Sequence, residues 1–282
     1  MHGWIGKILR INLSSGSVKY EPLDRDLAEN FIGGRGINSK ILYDETERKI
    51  SPFAPENVLI FGTSPLSGTT APSTPCCTVT AKSPLTGILG DANFGGFFAP
   101  YMKFSGFDHI VITGKSKTPV YLAIKDGKAF IKKADYLCGK STAETEKILK
   151  KHYRGKKIHI ACIGPAGENM VRTACVVHGH NVAGRTGMGA VMGSKNLKAI
   201  VIEHGQYRVQ VADNKKLRLI SRHLKNKIKN SPYYKMFSTY GMAGPLAIEN
   251  ESGILAVKNF SQAGGFEEVE NVTCETISKN FY

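Results

Sequence analysis

The chain has 282 residues, of which 41% are hydrophobic and 22% charged, a composition typical of a folded globular protein rather than a disordered one. No stretch approaches the roughly 18 consecutive apolar residues of a membrane helix, and the start Met1 to Lys7 lacks the apolar core of a signal peptide, so we expect a cytoplasmic protein without a membrane partner. The net charge is +15, and the six cysteines contain no C-x-x-C pair, which argues against a zinc site, a redox dithiol or a disulfide framework.

The first elements form a predicted hairpin and a short helix. Residues 5–13 alternate as a half-buried strand does, a turn follows at residues 14–16, and residues 18–21 form the returning strand. Asp24 is placed to cap a helix that carries Leu27 and Phe31 on one face and ends at the glycines 33, 34 and 36. Further strands are predicted at residues 58–61, 78–81, 110–113, 120–125, 158–163 and 199–202.

Two longer helices have clear start signals. Ser141 and Glu144 make a capping box, and Asp213 precedes apolar residues at helical spacing. Near residue 205 the chain changes from glycine-rich and strand-rich to helical and basic. We therefore predict one domain over residues 1–205 and the beginning of a second, helical domain over residues 206–282.

Much of the positive charge lies between Arg208 and Lys235, where Asp213 is the one acidic residue. A solvated helix face is the favoured interpretation. A nucleic-acid surface is less favoured, because stacking aromatics would be interleaved with the basic residues and Tyr233 and Tyr234 come only at the end. A docking surface for an acidic redox partner or an anionic cofactor remains a third interpretation.

Two segments of the first domain look like diverged copies of one unit. Residues 91–112, which follow Gly90, and residues 181–202 align with a constant offset of 90 over a glycine-rich loop, a methionine and a terminal Ile-Val-Ile, and residues 59–65 resemble residues 159–165. The pattern predicts an α+β fold with two similar β-sheets related by pseudo-twofold symmetry. The two glycine loops would then meet, an arrangement suited to a nearly symmetric ligand.

Glycine loops followed by helices expose backbone N–H groups, which favour phosphate groups as ligands. More specific phosphate motifs are missing: residues 184–189 do not follow G-x-G-x-x-G, and residues 193–196 lack the spacing of a Walker loop. The residues alone therefore predict phosphate binding without specifying a nucleotide.

Six ordered segments together resemble the amino-terminal domain of aldehyde ferredoxin oxidoreductases. They are residues 31–36 (FIGGRG), 81–87 (AKSPLTG), the loop around Asn93, residues 102–108 (MKFSGFD), 163–169 (IGPAGEN) and 187–200 (GMGAVMGSKNLKAI). The resemblance is dense over residues 1–205 and thin beyond. It implies that the two sheets form a base under a tungsten bis-pterin cofactor, in which the metal is held by the pterin dithiolene sulfurs.

The resemblance also implies the site residues. A magnesium ion would bridge the pterin phosphates through the backbone carbonyls of Asn93 and Ala183, positions that the offset of 90 makes equivalent. Gly95, Gly184 and Arg185 would line the pterins, with a surface salt bridge as the alternative role of Arg185. For residues 33–35, a helix end and turn is as good an interpretation as cofactor contact.

One position departs from the family pattern. Family members usually carry an arginine after the segment Ala71-Pro72 that reaches between a pterin and the iron–sulfur cluster, and here that position is Cys76. The pterin-to-cluster contact is therefore in doubt. A buried neutral thiol is favoured over a thiol that approaches the metal.

The implied activity is oxidation of an aldehyde to a carboxylate by a tungsten or molybdenum enzyme, with ferredoxin as the electron acceptor. Ligands of a four-iron, four-sulfur cluster and acid–base residues are expected beyond residue 282, so no catalytic residue is assigned and the chain alone is expected to be inactive. Aldehyde and ferredoxin are the expected partners, and a homodimer is left open. The alternatives are the tungsten subunit of a class II benzoyl-CoA reductase-type enzyme, a basic nucleic-acid-binding module, and an inactive cofactor scaffold.

Overall fold

The computed structural model describes residues 1–281. The first half of the strand-rich region contains six strands and three helices in a simple order. Along the chain they are β1 (Lys7–Asn12), β2 (Ser17–Pro22), α1 (Arg25–Phe31), α2 (Arg35–Glu45), β3 (Leu59–Gly62), β4 (Cys77–Lys82), β5 (Leu89–Phe94), α3 (Phe98–Phe104) and β6 (His109–Thr113).

The second half repeats the order of the strands, but it has one helix instead of two before its third strand and a short additional helix after that strand. Its elements are β7 (Val120–Lys125), β8 (Lys128–Lys133), α4 (Thr142–His152), β9 (Ile158–Cys162), α5 (Pro165–Glu168), β10 (Val176–His178), β11 (Asn181–Ala183), α6 (Met188–Ser194) and β12 (Leu197–Glu203).

Each half folds into a six-stranded sheet, and the two sheets have the same topology. The first has the order β2-β1-β6-β3-β4-β5 and the second β8-β7-β12-β9-β10-β11. In both, the hairpin strand pairs in parallel with the last strand (β1 with β6, β7 with β12), and the other neighbours are antiparallel. The α+β fold with two similar sheets is confirmed. The duplication also includes the opening hairpins, which the sequence comparison had missed.

The two halves exchange helices across a shared core. One apolar cluster contains the inner faces of both sheets together with α3 and α6. Helix α3, from the first half, packs on β9 and β12 of the second sheet, whereas α6 packs on β3, β4 and β5 of the first as well as on its own sheet. The outer faces have separate cores, under α1 and α2 on the first sheet and under α4 on the second.

The remaining chain is mostly helical. It contains α7 (Asn214–Lys229), α8 (Pro232–Tyr240), α9 (Leu246–Glu251), the short hairpin β13 (Ala256–Val257) and β14 (Gln262–Ala263), and α10 (Cys274–Phe281). The contacts divide the chain between Leu217 and Arg218, which lies within α7 and twelve residues beyond the boundary predicted from composition. Among residues 1–281 no helix has both the length and the apolar character needed to cross a bilayer.

The predicted helix caps are confirmed. The side chain of Asp24 accepts from the Leu27 N–H, Ser141 and Glu144 form both bonds of the capping box, and Asp213 accepts from the Lys216 N–H. The sequence missed α2, which begins directly after the glycines that end α1, and it missed the edge strands β5, β8 and β11 and the short strand β10 beside β11. The apolar side of α7 is only partly covered by described residues, with Leu219, Ile220, Leu224 and Ile228 all exposed.

Candidate functional site

The two glycine loops follow the edge strands of the two sheets. The first loop is residues 95–97, between β5 and α3, and the second is residues 184–187, between β11 and α6. Strands β5 and β11 are neighbours, so the two edges meet. The hydroxyl of Ser83 donates to the carbonyl of Thr186 (2.8 Å), and the hydroxyl of Thr186 lies 3.3 Å from the carbonyl of Asp91. The second loop is therefore tied to the first half of the molecule.

Side chains from the second half support the first loop. A Cβ atom built on Gly95 would lie 3.0 Å from Asn181 Oδ1, and one on Gly96, whose φ is +82°, would lie 3.0 Å from His178 Nε2. Larger residues would collide with these groups. The sequence comparison missed both His178 and Asn181, because it compared the glycines and not the residues that pack against them.

His178 is a neutral, buried histidine beneath the first loop. Its Nδ1 lies 2.8 Å from the carbonyl of Ile160, so Nδ1 carries the proton and donates. Burial lowers the pKa of His178, and burial together with His178 lowers the pKa of the neighbouring His159 to about 4. Both rings are therefore uncharged near neutral pH and pack with Phe94, Phe98 and Tyr101.

Asn93 and Ala183 lie on the two facing strands, but their side chains point to different sides. Asn93 is exposed, whereas the methyl group of Ala183 is fully buried in the inner core beside Phe94 and Ala92 of the other strand. The offset of 90 holds for α3 and α6 and for the strands after them. Across the preceding hairpins the side-chain alternation is one residue out of step, and Val182 occupies the place that corresponds to Asn93.

The second loop leaves a cation free. Arg185 is exposed, and no carboxylate among residues 1–281 pairs with it, which removes the surface salt bridge as an explanation within the described chain. Gly184 is also exposed, and a Cβ there would meet its neighbours only at ordinary contact distance. The second loop thus exposes its backbone at Gly184 and the guanidinium of Arg185 to solvent.

Cys76 lies beside the first loop. It directly precedes Cys77, whose register partner Phe94 directly precedes the first loop. Cys76 is exposed rather than buried as expected, while Cys77 is buried, and burial raises the pKa of its thiol. The sequence expectation of a buried neutral thiol therefore describes Cys77 and not Cys76.

The start of α2 approaches the same edge. Arg35 pairs with Asp91 (2.7 Å), two residues before Asn93 on the same face of β5, and a Cβ on Gly34 would lie 3.2 Å from the hydroxyl of Thr78. The glycines at 33 and 34 thus form the turn between two helices and also allow α2 to begin close to Asn93. No group of three or more His, Cys, Asp or Glu side chains in the described chain is arranged to hold a metal ion.

The duplicated sheets with facing glycine loops define one class of protein. The family model described as "Aldehyde ferredoxin oxidoreductase, N-terminal domain" matches residues 8–204, and the chain belongs to this family.

The relatives support this membership over the whole chain. The tungsten-containing aldehyde ferredoxin oxidoreductase of Thermococcus kodakarensis is 44% identical over 283 residues, covering 100% of this chain and 46% of the relative. That of Pyrococcus furiosus is 45% identical over 262 residues, covering 92% of this chain and 43% of the relative. This chain therefore spans less than half the length of these relatives.

A solved structure has the same fold. It is the active-site complex BamBC of benzoyl coenzyme A reductase with 1,5-dienoyl-CoA, which matches with a TM-score of 0.79 and 38% identity over 81% of this chain and 35% of that chain.

Proposed function

We propose that this chain is the cofactor-binding part of an oxidoreductase that oxidises aldehydes to carboxylates with a tungsten bis-pterin cofactor and passes the electrons to ferredoxin. The observation that carries the proposal is the meeting of the two glycine loops at the junction of β5 and β11, in a chain 44–45% identical to tungsten-containing aldehyde ferredoxin oxidoreductases. We also propose that residues 1–205 form the tungstopterin-binding domain and that residues 206–282 begin a helical domain.

The residues at the loops fit an anionic cofactor. Arg185 supplies an unpaired guanidinium, which binds phosphate through charge-assisted hydrogen bonds. Gly95 and Gly184 bring backbone close to the surface without a side chain in the way. Asn93 presents a carboxamide nitrogen that has no hydrogen-bond partner within residues 1–281. These are the donors that pterin phosphates require.

A magnesium ion would be held by the backbone carbonyls of Asn93 and Ala183, which lie on the two adjoining edge strands. Magnesium takes oxygen ligands and is commonly shared between protein and substrate phosphates, so two carbonyls and two phosphates suit it. Cys76, at the first loop, would contact the cofactor where other family members have an arginine.

When bound, the tungsten centre supplies the two-electron oxidation of the aldehyde, with the added oxygen coming from water. The residues of this chain bind and orient the cofactor, and the chemistry belongs to the cofactor. Arg185 neutralises phosphate charge, and the His178 and Asn181 side chains hold the first loop from below. A four-iron, four-sulfur cluster, its ligands and the acid–base residues would belong to the rest of the protein, as would any homodimer contact.

The test uses the full-length protein purified without oxygen. Elemental analysis should find about one tungsten per chain, and aldehydes should reduce a viologen dye. Molybdenum in place of tungsten would change the metal and leave the fold-based proposal intact. A metal-free, pterin-free protein expressed with tungstate supplied would refute it.

A benzoyl-CoA reductase-type activity is the second candidate, favoured by the match to the BamBC complex. Both activities would use the same base of two sheets. A substrate screen distinguishes them, because an aldehyde oxidase reduces viologen with aldehydes, whereas the alternative enzyme reduces an aromatic thioester.

A further inference from the structure

A line of polar side chains crosses the first sheet and ends at Asn93. Four residues lie in register on neighbouring strands: His109 on β6, Gly62 on β3, Thr78 on β4 and Asn93 on β5. Asn38 of α2 lies over Gly62 and bridges the gap. We call His109, Asn38, Thr78 and Asn93 the polar rung.

The hydrogen bonds of the polar rung join His109 to Asn38, Asn38 to the backbone of Thr78, and the side chain of Thr78 to Asn93. Asn38 Nδ2 donates to the carbonyl of Thr78 and to the hydroxyl of Thr80 (3.1 Å each), so Asn38 Oδ1 must accept, and His109 Nδ1 donates to it (2.8 Å). The Thr78 hydroxyl donates to Asn93 Oδ1 (2.7 Å). The carboxamide oxygen of Asn93 is therefore held inward, and its NH2 group is turned towards the outside.

The polar rung depends on a glycine. A Cβ atom on Gly62 would lie 2.3 Å from Asn38 Oδ1 and 2.7 Å from His109 Nδ1, so any side chain there would break the bond between these two residues. The arrangement also has a cost: His109 is fully buried, and its Nε2 is left without a hydrogen-bond partner in the described structure. An unsatisfied buried polar group is destabilising and requires an explanation.

The second sheet shows that the fold does not need these polar groups. The same register there joins Ala199 on β12, Cys162 on β9, Val177 on β10 and Val182 on β11. Every position of this twin rung is apolar, and Ala199 and Cys162 belong to the hydrophobic core under α4. Two sheets of identical topology thus carry different sets at this register, so the topology by itself does not require the polar set.

We propose that His109, Asn38 and Thr78 are positioning residues that orient the Asn93 carboxamide so that its NH2 group donates to an anionic group of the bound cofactor. The inference rests on the proposed function. It assigns the Asn93 side chain a role separate from that of its backbone carbonyl, and it explains why His109 and Asn38 are polar where the twin rung is apolar.

The test replaces Thr78 by the residue of the twin rung. In the full-length holoprotein, Thr78→Val removes the hydroxyl that orients Asn93 and keeps the size of the side chain. Thr80→Val is the matched control, because Thr80 is also buried and also bonds to Asn38 but has no hydrogen bond to Asn93. Thr78→Ser restores the hydroxyl.

The readout is pterin retention, measured by fluorescence after oxidative release from protein incubated with excess EDTA, with the melting temperature recorded in parallel. We expect both valine variants to lose similar stability, but only Thr78→Val to release pterin about tenfold faster, and Thr78→Ser to behave as wild type. Equal release from the two valine variants would overturn the inference while the proposed function stands. Wild-type protein that holds no pterin would overturn both.

A second variant covers the case in which Thr78→Val does not fold. Asn93→Asp changes an exposed residue, keeps the acceptor for Thr78 and replaces the NH2 group by a charged oxygen. We expect faster pterin release by at least tenfold with an unchanged melting temperature. Retention equal to wild type would overturn the assignment of the NH2 group.

Discussion

The contact between α5 and α6 should fail when one methyl group is added at Gly193. Helix α6 follows the second glycine loop and is buried along its whole length. A Cβ atom on Gly193 would lie 1.8 Å from the carbonyl oxygen of Gly167 and 2.6 Å from its carbonyl carbon. Both are backbone atoms of α5, so neither can rotate away. Helix α6 must therefore move by more than an ångström, and the loop with Gly184 and Arg185 would move with it.

The size of the effect follows from two opposing terms. Overpacking of a tight core costs about 1–3 kcal/mol or more, and a contact this short lies at the upper end. Alanine in place of a helical glycine recovers about 1 kcal/mol. We expect Gly193→Ala to lower the free energy of unfolding by about 2–3 kcal/mol, measured by urea unfolding as a lower midpoint with an unchanged slope.

The neighbouring Gly164 offers a matched control. A Cβ there would meet Thr142 Cγ2 at 3.5 Å, an ordinary contact, and its φ of −96° suits any residue. Gly164→Ala should change the free energy of unfolding by less than about 0.5 kcal/mol. If Gly193→Ala is as stable as Gly164→Ala and binds pterin as wild type does, the close approach of the two helices is not what holds the second loop.

Three further predictions concern buried charge and one helix end. Burial lowers the pKa of Lys195 from 10.5 to about 8. Between these pH values the unfolded chain holds a proton on Lys195 that the folded chain has released, so stability should rise with pH by up to about 3 kcal/mol relative to Lys195→Met. A difference between the two proteins that does not change from pH 8 to 10.5 would contradict this. Asp108→Asn should lower the free energy of unfolding by about 3–5 kcal/mol, because it leaves the buried Lys103 without its ion-pair partner. In urea unfolding, Asp108→Asn should lose more stability than Lys103→Met. Ser141→Ala should cost about 1 kcal/mol by removing the cap of α4, and an unshifted urea midpoint would show that the cap is dispensable.

The sequence predicted the features that depend on local pattern. The central strands were found because they are continuous apolar runs, and the caps at Asp24, Ser141 and Asp213 because cap residues act on the next three positions. Strand β8 was missed because four of its six residues are exposed, three of them lysines, and edge strands lack a clear alternation. Helix α2 was missed because its first residues are Arg35 and Gly36, after two glycines that suggested a turn.

The candidate site was predicted as two loops but not as a packed assembly. Glycines at 95 and 184 are visible in the sequence, whereas Asn181, the side chain that packs closely against Gly95, is not adjacent to it in the chain. Asn38 reaches Thr78 across 40 residues, and Thr186 reaches Asp91 across 95. The offset of 90 predicted that the loops correspond, but it could not detect the one-residue shift that places Asn93 outside and Ala183 inside, because that shift depends on strand register.

The exchange of α3 and α6 bears on how such a molecule arises and folds. Helix α3 packs on the second sheet, and α6 packs on the first sheet as well as on its own, so residues of both halves complete the shared inner core. The short segment between β6 and β7 makes the association of the two halves an intramolecular step. Once joined in one chain, the two halves were free to diverge, and the first sheet carries the polar rung where the second sheet carries apolar side chains.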